Sequence, residues 1–433
     1  MKVAYFTPIN PQKSGIADYS EREVLPYLSK YMDIDIFIDD NIKPNSEFLI
    51  NNFAIHPYTE YEKKKDQYEI AIYNMGNNGL HEFIFNCLRK YPGITVIHDI
   101  YLHGFLWNCT LSRGNTDAYI QEFAYCYGEK GAQIAKRAIE TGAYPTFEYP
   151  LMKRILDNSL GVVCHSEFGV KKVLAEMSES LVTKLNQPIT ISEEIKSAAN
   201  FDIASLKREL FLSARNPIIA TFGFIFDHKR YPIILSAFKK FLYYYPNAIL
   251  LLVGEDLMGI DRLISSLKLE DHVKKTGYVP FGEVLKYLAI SDFCINLRYP
   301  TAGETSRSVL QLMSLGKPVI VTNIGWFAEI PENCCLKVDV DSYEEDILLE
   351  YMKLLAKDRK LANQIGRNAQ KYVSIEHNPD TIAKEYYKFI KSILNGNEVI
   401  INKIAQELKN FGINESDHEI IKEISERSCD LLN

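Results

Sequence analysis

The stretch Phe293-Cys-Ile-Asn-Leu-Arg-Tyr-Pro-Thr-Ala-Gly-Glu-Thr-Ser306, running on to Leu315-Gly-Lys-Pro-Val-Ile320, reads as a buried strand, a loop of hydrogen-bonding groups, a helix start and a second strand. N–H groups at a helix N-terminus point outward unpaired, and the helix dipole adds about half a positive charge there, so such a loop can hold an anion. Glu304, Thr305 and Ser306 crowd that start and cannot all be caps. Alone, the segment reads better as a capped helix in an ordinary α/β domain; its surroundings decide.

Outward from it, short apolar runs alternate with longer helical patterns, the signature of α/β folds with parallel sheets. Strands are expected at Val3–Phe6, Ile34–Ile38, Ile70–Tyr73, Thr95–Ile97 and Gly161–Cys164. Helices are expected at Ser20–Tyr31, Gly79–Lys90 and Gly169–Met177, with a long helical insertion over Tyr119–Leu156. The alternation stops in a polar stretch at 188–215 and restarts with Ile218–Phe222, Ala248–Val253, Val273–Gly277, Phe293–Leu297, Pro318–Thr322 and Leu336–Val338. Two doubly wound, Rossmann-like domains follow, residues 1–205 and 206–378, hinged near 205–216 and after Asp380. In such folds ligands bind outside the carboxyl ends of the strands, and two domains face to face make a cleft. Pro379 opens a helix with an apolar face at Ile382, Tyr386, Tyr387, Ile390 and Leu394, spanning 379–395. The extension 396–433 suits two more amphipathic helices, around Val399–Leu408 and Ile420–Ile424.

Composition bounds the function. The chain has 433 residues, 47% hydrophobic and 24% charged, as expected of a globular protein of two or three domains. A formal net charge of −7 argues against a nucleic-acid protein held by phosphate contacts, while leaving room for a local basic patch at a membrane. The start, Met1-Lys2-Val3-Ala4-Tyr5-Phe6, reads as a strand and not a signal peptide. No window reaches the ~20 apolar residues that span a bilayer. The eight cysteines form no CxxC pair, which fits reduced thiols in a cytoplasm and gives no zinc spacing.

Four loops follow expected strands. Pro8–Ile16 carries Asn10, Ser14 and Gly15, and glycine allows close backbone approach to a ligand, but the GxGxxG spacing of a dinucleotide fingerprint is missing. His98, Asp99 and His103 lie just past a strand end, without a third ligand for a metal. Gly223 ends a strand, and Lys229 and Arg230 open the next helix; a lysine near a pyrophosphate is worth a few kcal/mol at an effective dielectric of about 20. The fourth is Arg298–Ser306. Taken singly these are a turn glycine, a structural histidine, a basic surface pair and a helix cap. Together they fit a nucleotide-sugar site.

Over roughly residues 1–395 the chain resembles the retaining glycosyltransferases of family 4, which have the GT-B fold. The resemblance rests on Gly223 with Lys229, Leu252-Val253-Gly254-Glu255, Gly277-Tyr278-Val279, Ser291-Asp292, Gly303-Glu304, Gly316-Lys317-Pro318-Val319, and Gly325 with Glu329-Ile330-Pro331. The Ser14-Gly15 loop and His98 match the family's N-terminal glycine loop and active-site histidine. The loop resembles that of the branch carrying Arg-Tyr-Pro-Thr-x-Gly-Glu-Thr-Ser. Two features depart from the pattern: Glu304 is followed after six residues by Gln311, where a second glutamate after seven is common, and Phe224 replaces an arginine. Arg298 or Arg230 is then expected to supply the missing charge.

The resemblance implies an acceptor-side first domain, a donor-binding second domain and a helix at 379–395 that returns to the first. It implies retaining transfer of a hexose from a UDP- or GDP-sugar to a hydroxyl acceptor, without metal or further cofactor. His98, Lys229 and Glu304 are the expected catalytic residues. Donor contacts are expected from Ser14, Gly15, Gly223, Arg230, Gly254, Tyr278, Val279, Arg298, Thr305, Ser306 and Gln311, and acceptor contacts from Asn10, Asp99 and His103. The expected partners are a nucleotide sugar and a glycan, lipid-linked, protein or small-molecule acceptor, in surface polysaccharide or glycoconjugate assembly. The expected setting is the cytoplasm, with peripheral contact at the inner membrane face compatible with the charge. The competing readings are a nucleotide-sugar-binding protein without transfer and another GT-B enzyme such as a sugar-nucleotide epimerase.

Overall fold

The computed structural model describes residues 1–396, except Lys13 and Ala199, together with residues 407, 408, 410, 412, 413 and 417. The two tail helices expected beyond residue 396 lie outside the described residues save for isolated positions such as Leu408. Two sheets, all parallel, organise the rest. The first contains β1 (Lys2–Phe6), β2 (Asp33–Ile38), β3 (Ala54–Pro57), β4 (Ile70–Met75), β5 (Gly93–Ile97), β6 (Ser159–Cys164) and β7 (Val182–Lys184), in the order β3-β2-β1-β4-β5-β6-β7. The second contains β8 (Ile218–Phe222), β9 (Ile249–Val253), β10 (Val273–Gly277), β11 (Phe293–Asn296), β12 (Val319–Thr322) and β13 (Leu336–Val338), in the order β10-β9-β8-β11-β12-β13.

The central strands are apolar because helices cover both faces of a parallel sheet. Tyr5 of β1 stands between Ile36 of β2 and Ile72 of β4, and each sheet carries one apolar core on each face. The short edge strands β3 and β7 escaped the sequence reading, since Ala-Ile-His-Pro and Val-Thr-Lys show no apolar run. The insertion begins with the helix Thr116–Thr141, whose helical dihedrals break at Tyr127 and Gly128, where Gly128 takes φ +65°. A loop then leads to the short helix Lys153–Leu156.

The polar stretch 188–215 proves to be structured. The helices Glu193–Ala198 and Ile203–Glu209 set Ile195, Ala198, Leu206 and Leu210 against Val284, Leu285 and Leu288 of the helix Phe281–Ile290. These residues therefore belong to the second domain's core, and the chain crosses between domains at about 185–190, not at 205–216. The return crossing lies beside it: Ile189 N–H donates to His377 O (3.0 Å), His377 Nδ1 to Gln187 O (2.7 Å), and Asn186 Nδ2 to Glu376 O (3.0 Å). The helix Pro379–Leu394 then lays Ile382, Ala383, Tyr386 and Ile390 on the first domain's core, with the Tyr386 and Tyr19 hydroxyls 2.7 Å apart. Among the described residues no helix is long and apolar enough to cross a membrane.

Candidate functional site

Strand order reverses between β1 and β4 in the first sheet and between β8 and β11 in the second. Crevices for ligands open at the carboxyl ends of such switch points. The loops after β1, β8 and β11 are three of the four singled out in the sequence, and the fourth follows β5, next to β4. Topology thus collects the four loops, and hydrogen bonds join three of them: Ile100 and Tyr101 N–H both donate to Ala302 O (2.7 and 3.1 Å), and Tyr299 N–H to His228 O (2.7 Å); Thr305 Oγ1 also donates to His165 O (3.3 Å), beyond β6.

On the second domain, Gly223 adopts φ +99°, and a Cβ there would lie 2.9 Å from Lys229 Nζ. Lys229 ends a 3₁₀ turn and is 7% exposed. Its Nζ reaches only Phe222 O, at 3.4 Å, and no carboxylate lies within ion-pair distance among the described residues. Burial, then the nearby Arg298 charge, drives its pKa well below the usual lysine value, against the opposing pull of Glu304. An anion docked here would restore the charge.

Arg298 is also buried. Its Nε stands 3.1 Å from Glu304 Oε1, an ion contact off the axis of a hydrogen bond, which leaves the N–H without a proper acceptor. Glu304 Oε2 accepts from Thr301 Oγ1 (2.9 Å), so this carboxylate is held from two sides. Ser306 is the cap of the helix Arg307–Ser314, accepting from Val309 N–H (3.4 Å), which resolves the crowding of three candidate caps.

On the first domain, Ser14 Oγ accepts from Ile16 N–H (3.2 Å), and the space above Gly15 is open: an added Cβ would meet nothing within 4 Å. His98 lies 3.1 Å through Nε2 from Asn74 Oδ1, while Asn74 Nδ2 donates to Phe6 O (3.0 Å). Asn74 must therefore present its oxygen, so His98 Nε2 carries the hydrogen and Nδ1 is the acceptor. Burial, with His165 and His81 nearby, holds the His98 pKa well below its usual value, so the ring is neutral at pH 7. The ring sits between Tyr19 (4.6 Å) and His165 (5.1 Å). Asp99 Oδ2 accepts from Asn77 N–H (2.8 Å). Burial first, then Glu304 across the cleft, raises its pKa to about 7, against the Asn77 hydrogen bond and Arg298.

The other expected contact residues differ in what already engages them. Arg230 is drawn to Glu344, which is 2% exposed, and lies over the Tyr299 ring, so its charge is already matched. Gly254, at φ +147°, packs on the Gly223 loop: a Cβ there would lie 2.4 Å from Gly223 O, so it shapes that loop by its absence of a side chain. His103 is 3% exposed, bonded through Nε2 to Tyr119 OH (2.9 Å) beneath the insertion, and burial lowers its pKa to about 4. Asn10 Nδ2 donates to Glu21 (2.7 Å). Gln311 lies within the helix Arg307–Ser314 and lines a cavity of about 320 Å³ with Glu21, Arg22, Thr190, Phe281 and Arg307. Tyr278 is 72% exposed, Val279 packs on the second domain's core, and Phe224 is 42% exposed. The sequence reading missed Asn74, although it is the one amide in the otherwise apolar β4, and that oddity was the available signal. Among the described residues no group of three or more His, Cys, Asp or Glu side chains is arranged to hold a metal ion.

Residues 202–372 match the model of the family "glycosyl transferases group 1". No curated protein matches the chain. Among solved structures, the chain is similar to Alr3699/HepE of Anabaena in complex with UDP-glucose: 15% identity over 90% of this chain and 100% of that one, TM-score 0.62. It is similar to the sucrose-phosphate synthase tll1590 of Thermosynechococcus elongatus, with 16% identity over 92% and 100% of the two chains and TM-score 0.62. A glycosyltransferase of Rickettsia africae gives 19% identity over 91% and 98%, with TM-score 0.60. These likenesses, with the two sheets, establish the GT-B fold, and the family match supports a glycosyltransferase of that superfamily.

Proposed function

We propose that this protein is a retaining glycosyltransferase that moves a hexose from a nucleoside diphosphate sugar to a hydroxyl acceptor. The observation that carries the reading is Lys229, a buried lysine with no carboxylate partner among the described residues, set beside Gly223 at a switch point and next to Arg298. Cleavage of the bond between C1 and the diphosphate oxygen leaves negative charge on the diphosphate. Groups poised for that charge lower the barrier most, and removing one such donor costs about 10²–10³ in kcat. Lys229, Arg298, the N–H groups near Thr305 and Ser306, and the open Gly15 loop serve this role without a metal.

Glu304, fixed by Arg298 and Thr301, offers its remaining acceptor capacity to sugar hydroxyls. His98 Nδ1 accepts from a further hydroxyl of the hexose. Asp99 borders the acceptor. In the retaining reaction the acceptor oxygen bonds to C1 on the face the diphosphate leaves, and the departing phosphate oxygen takes the acceptor proton. The UDP and UDP-glucose complexes of the Anabaena protein favour UDP-hexose as the donor, with GDP-hexose next. A cytoplasmic setting and an acceptor from polysaccharide or glycoconjugate assembly complete the proposal.

The test is to incubate the protein with UDP- and GDP-hexoses and a panel of hydroxyl acceptors, following nucleoside diphosphate release and the anomeric proton of the product by NMR. An axial donor linkage that stays axial supports the reading. Inversion overturns the retaining step. Tight binding without release favours the nucleotide-sugar-binding reading.

A further inference from the structure

We infer that Glu329 is a positioning residue that ties the donor loop of the second domain to the histidine side of the first. The inference rests on the proposed transfer reaction, because it concerns the alignment of Glu304 with His98. Glu329 lies at the end of the 3₁₀ turn Gly325–Glu329. Its carboxylate reaches across the domain boundary to the ten-residue helix Glu167–Glu176, where Oε2 accepts from Glu167 N–H (2.9 Å) and Oε1 from Phe168 N–H (2.7 Å). The third free amide, Gly169 N–H, is capped by the helix's own Ser166 Oγ (3.0 Å). The second domain therefore completes the cap of a helix in the first. Both bonds are charge-assisted and placed where the helix dipole favours an anion.

This cap sits where the two halves of the site meet. Immediately before the helix, the His165 ring lies 5.1 Å from the His98 ring, and His165 O accepts from Thr305, the neighbour of Glu304. His165 Nδ1 is 2.8 Å from Leu185 O, which fixes the ring. The Phe168 side chain lies against Gly303 and Gly325: a Cβ on Gly303 would stand 3.1 Å from Phe168 Cε1, and 2.5 Å from Ile100 Cγ1. Ala302 O, next to Gly303, holds the Ile100 and Tyr101 amides. Glu329 thus holds a segment, His165–Phe168, that touches both His98 and the Glu304 loop. Lys229 and Gly223 lie outside these contacts, so nucleotide binding should not depend on Glu329.

The experiment compares wild type with Glu329→Ala, Glu329→Gln and, as a control for simple cap loss, Asp358→Ala. Asp358 caps the helix Arg359–Glu376 through Leu361 N–H (2.9 Å), away from the loops. Backbone hydrogen exchange is read at residues 100, 101, 167 and 168, nucleoside diphosphate affinity by calorimetry, and transfer by kcat. In Glu329→Ala, exchange at all four amides should quicken and kcat should fall by about ten-fold or more, with nucleotide affinity within about two-fold of wild type. Glu329→Gln, which keeps one acceptor, should fall between. Asp358→Ala should lower Tm without either effect. Unchanged exchange at residues 100 and 101 in Glu329→Ala overturns the inference, as does wild-type kcat. If the wild-type protein transfers no sugar, the functional proposal falls, and the exchange arm alone decides whether Glu329 ties the loops together.

Discussion

Two glycines next to each other in the site make opposite use of the same missing side chain, and alanine at each should separate them. At Gly223 the backbone has φ +99°, and the new Cβ would meet Lys229 Nζ at 2.9 Å. The backbone strain is on the order of 1–3 kcal/mol. The contact itself is relieved when the flexible lysine moves by less than about 1 Å. At an effective dielectric of 20, moving a unit charge from about 4 to 5 Å from a phosphate forfeits about 0.8 kcal/mol, or roughly four-fold in affinity.

At Gly254 the φ of +147° carries similar strain, but the Cβ would lie 2.4 Å from a backbone atom, Gly223 O. No side chain can move aside. The Gly223 peptide must shift by about 1 Å, breaking its 3.0 Å N–H bond to Val253 O and displacing the whole loop. That adds about 1 kcal/mol for the lost bond, and it carries Lys229 with it. Thermal unfolding and calorimetric titration with a nucleoside diphosphate give the comparison. Gly254→Ala should lower Tm by about 2–4 °C more than Gly223→Ala for each additional kcal/mol, and should weaken nucleotide binding by more than the other's roughly four-fold. Equal losses, or a larger loss in Gly223→Ala, would refute the argument that Gly254 acts through the loop.

Arg298→Ala should weaken nucleotide binding by about ten-fold or more, as expected for loss of one charge-assisted contact, and an unchanged Kd would remove Arg298 from the donor site. Arg230→Ala should leave that Kd within about two-fold while lowering Tm, because it strands the buried Glu344 carboxylate; a large loss of affinity would put Arg230 back among the donor ligands. Asp99 binds its proton more tightly folded, with a pKa of about 7, than unfolded, near 3.8. The folded state then holds more protons between those values, so this group's contribution falls as pH rises from about 4 to 7. Asp99→Asn should therefore gain stability relative to wild type between pH 5 and pH 8, read as the difference in Tm, and a pH-independent difference would contradict the raised pKa.

The sequence carried the central strands well because buried parallel strands are written as apolar runs: Ile218–Phe222 matches its strand end to end, and Ala248–Val253 and Phe293–Leu297 each exceed theirs by one residue. The first sheet's edge strands β3 and β7 and the helices at 193–209 were hidden, since half-exposed elements mix polar and apolar residues. The loops of the site were legible because glycine and charge at a strand end are local signals. Their partners were not. Glu344 lies 114 residues from Arg230, Thr305 lies 140 from His165, and Glu329 lies 162 from Glu167. The first depends on packing within the second domain and the other two on how the domains meet, and no spacing rule along the chain encodes either. For the same reason Arg230 looked available in sequence, and His103 looked like a cleft residue until the insertion covered it.

On the proposed reading, the buried, unmatched Lys229 marks a diphosphate site. The most direct measurement is calorimetric titration of wild type and Lys229→Ala with UDP, GDP, ADP and dTDP. Wild type should bind one nucleotide at micromolar concentration, UDP first, and the variant should lose that binding. Binding of none, or equal binding by both proteins, would contradict it.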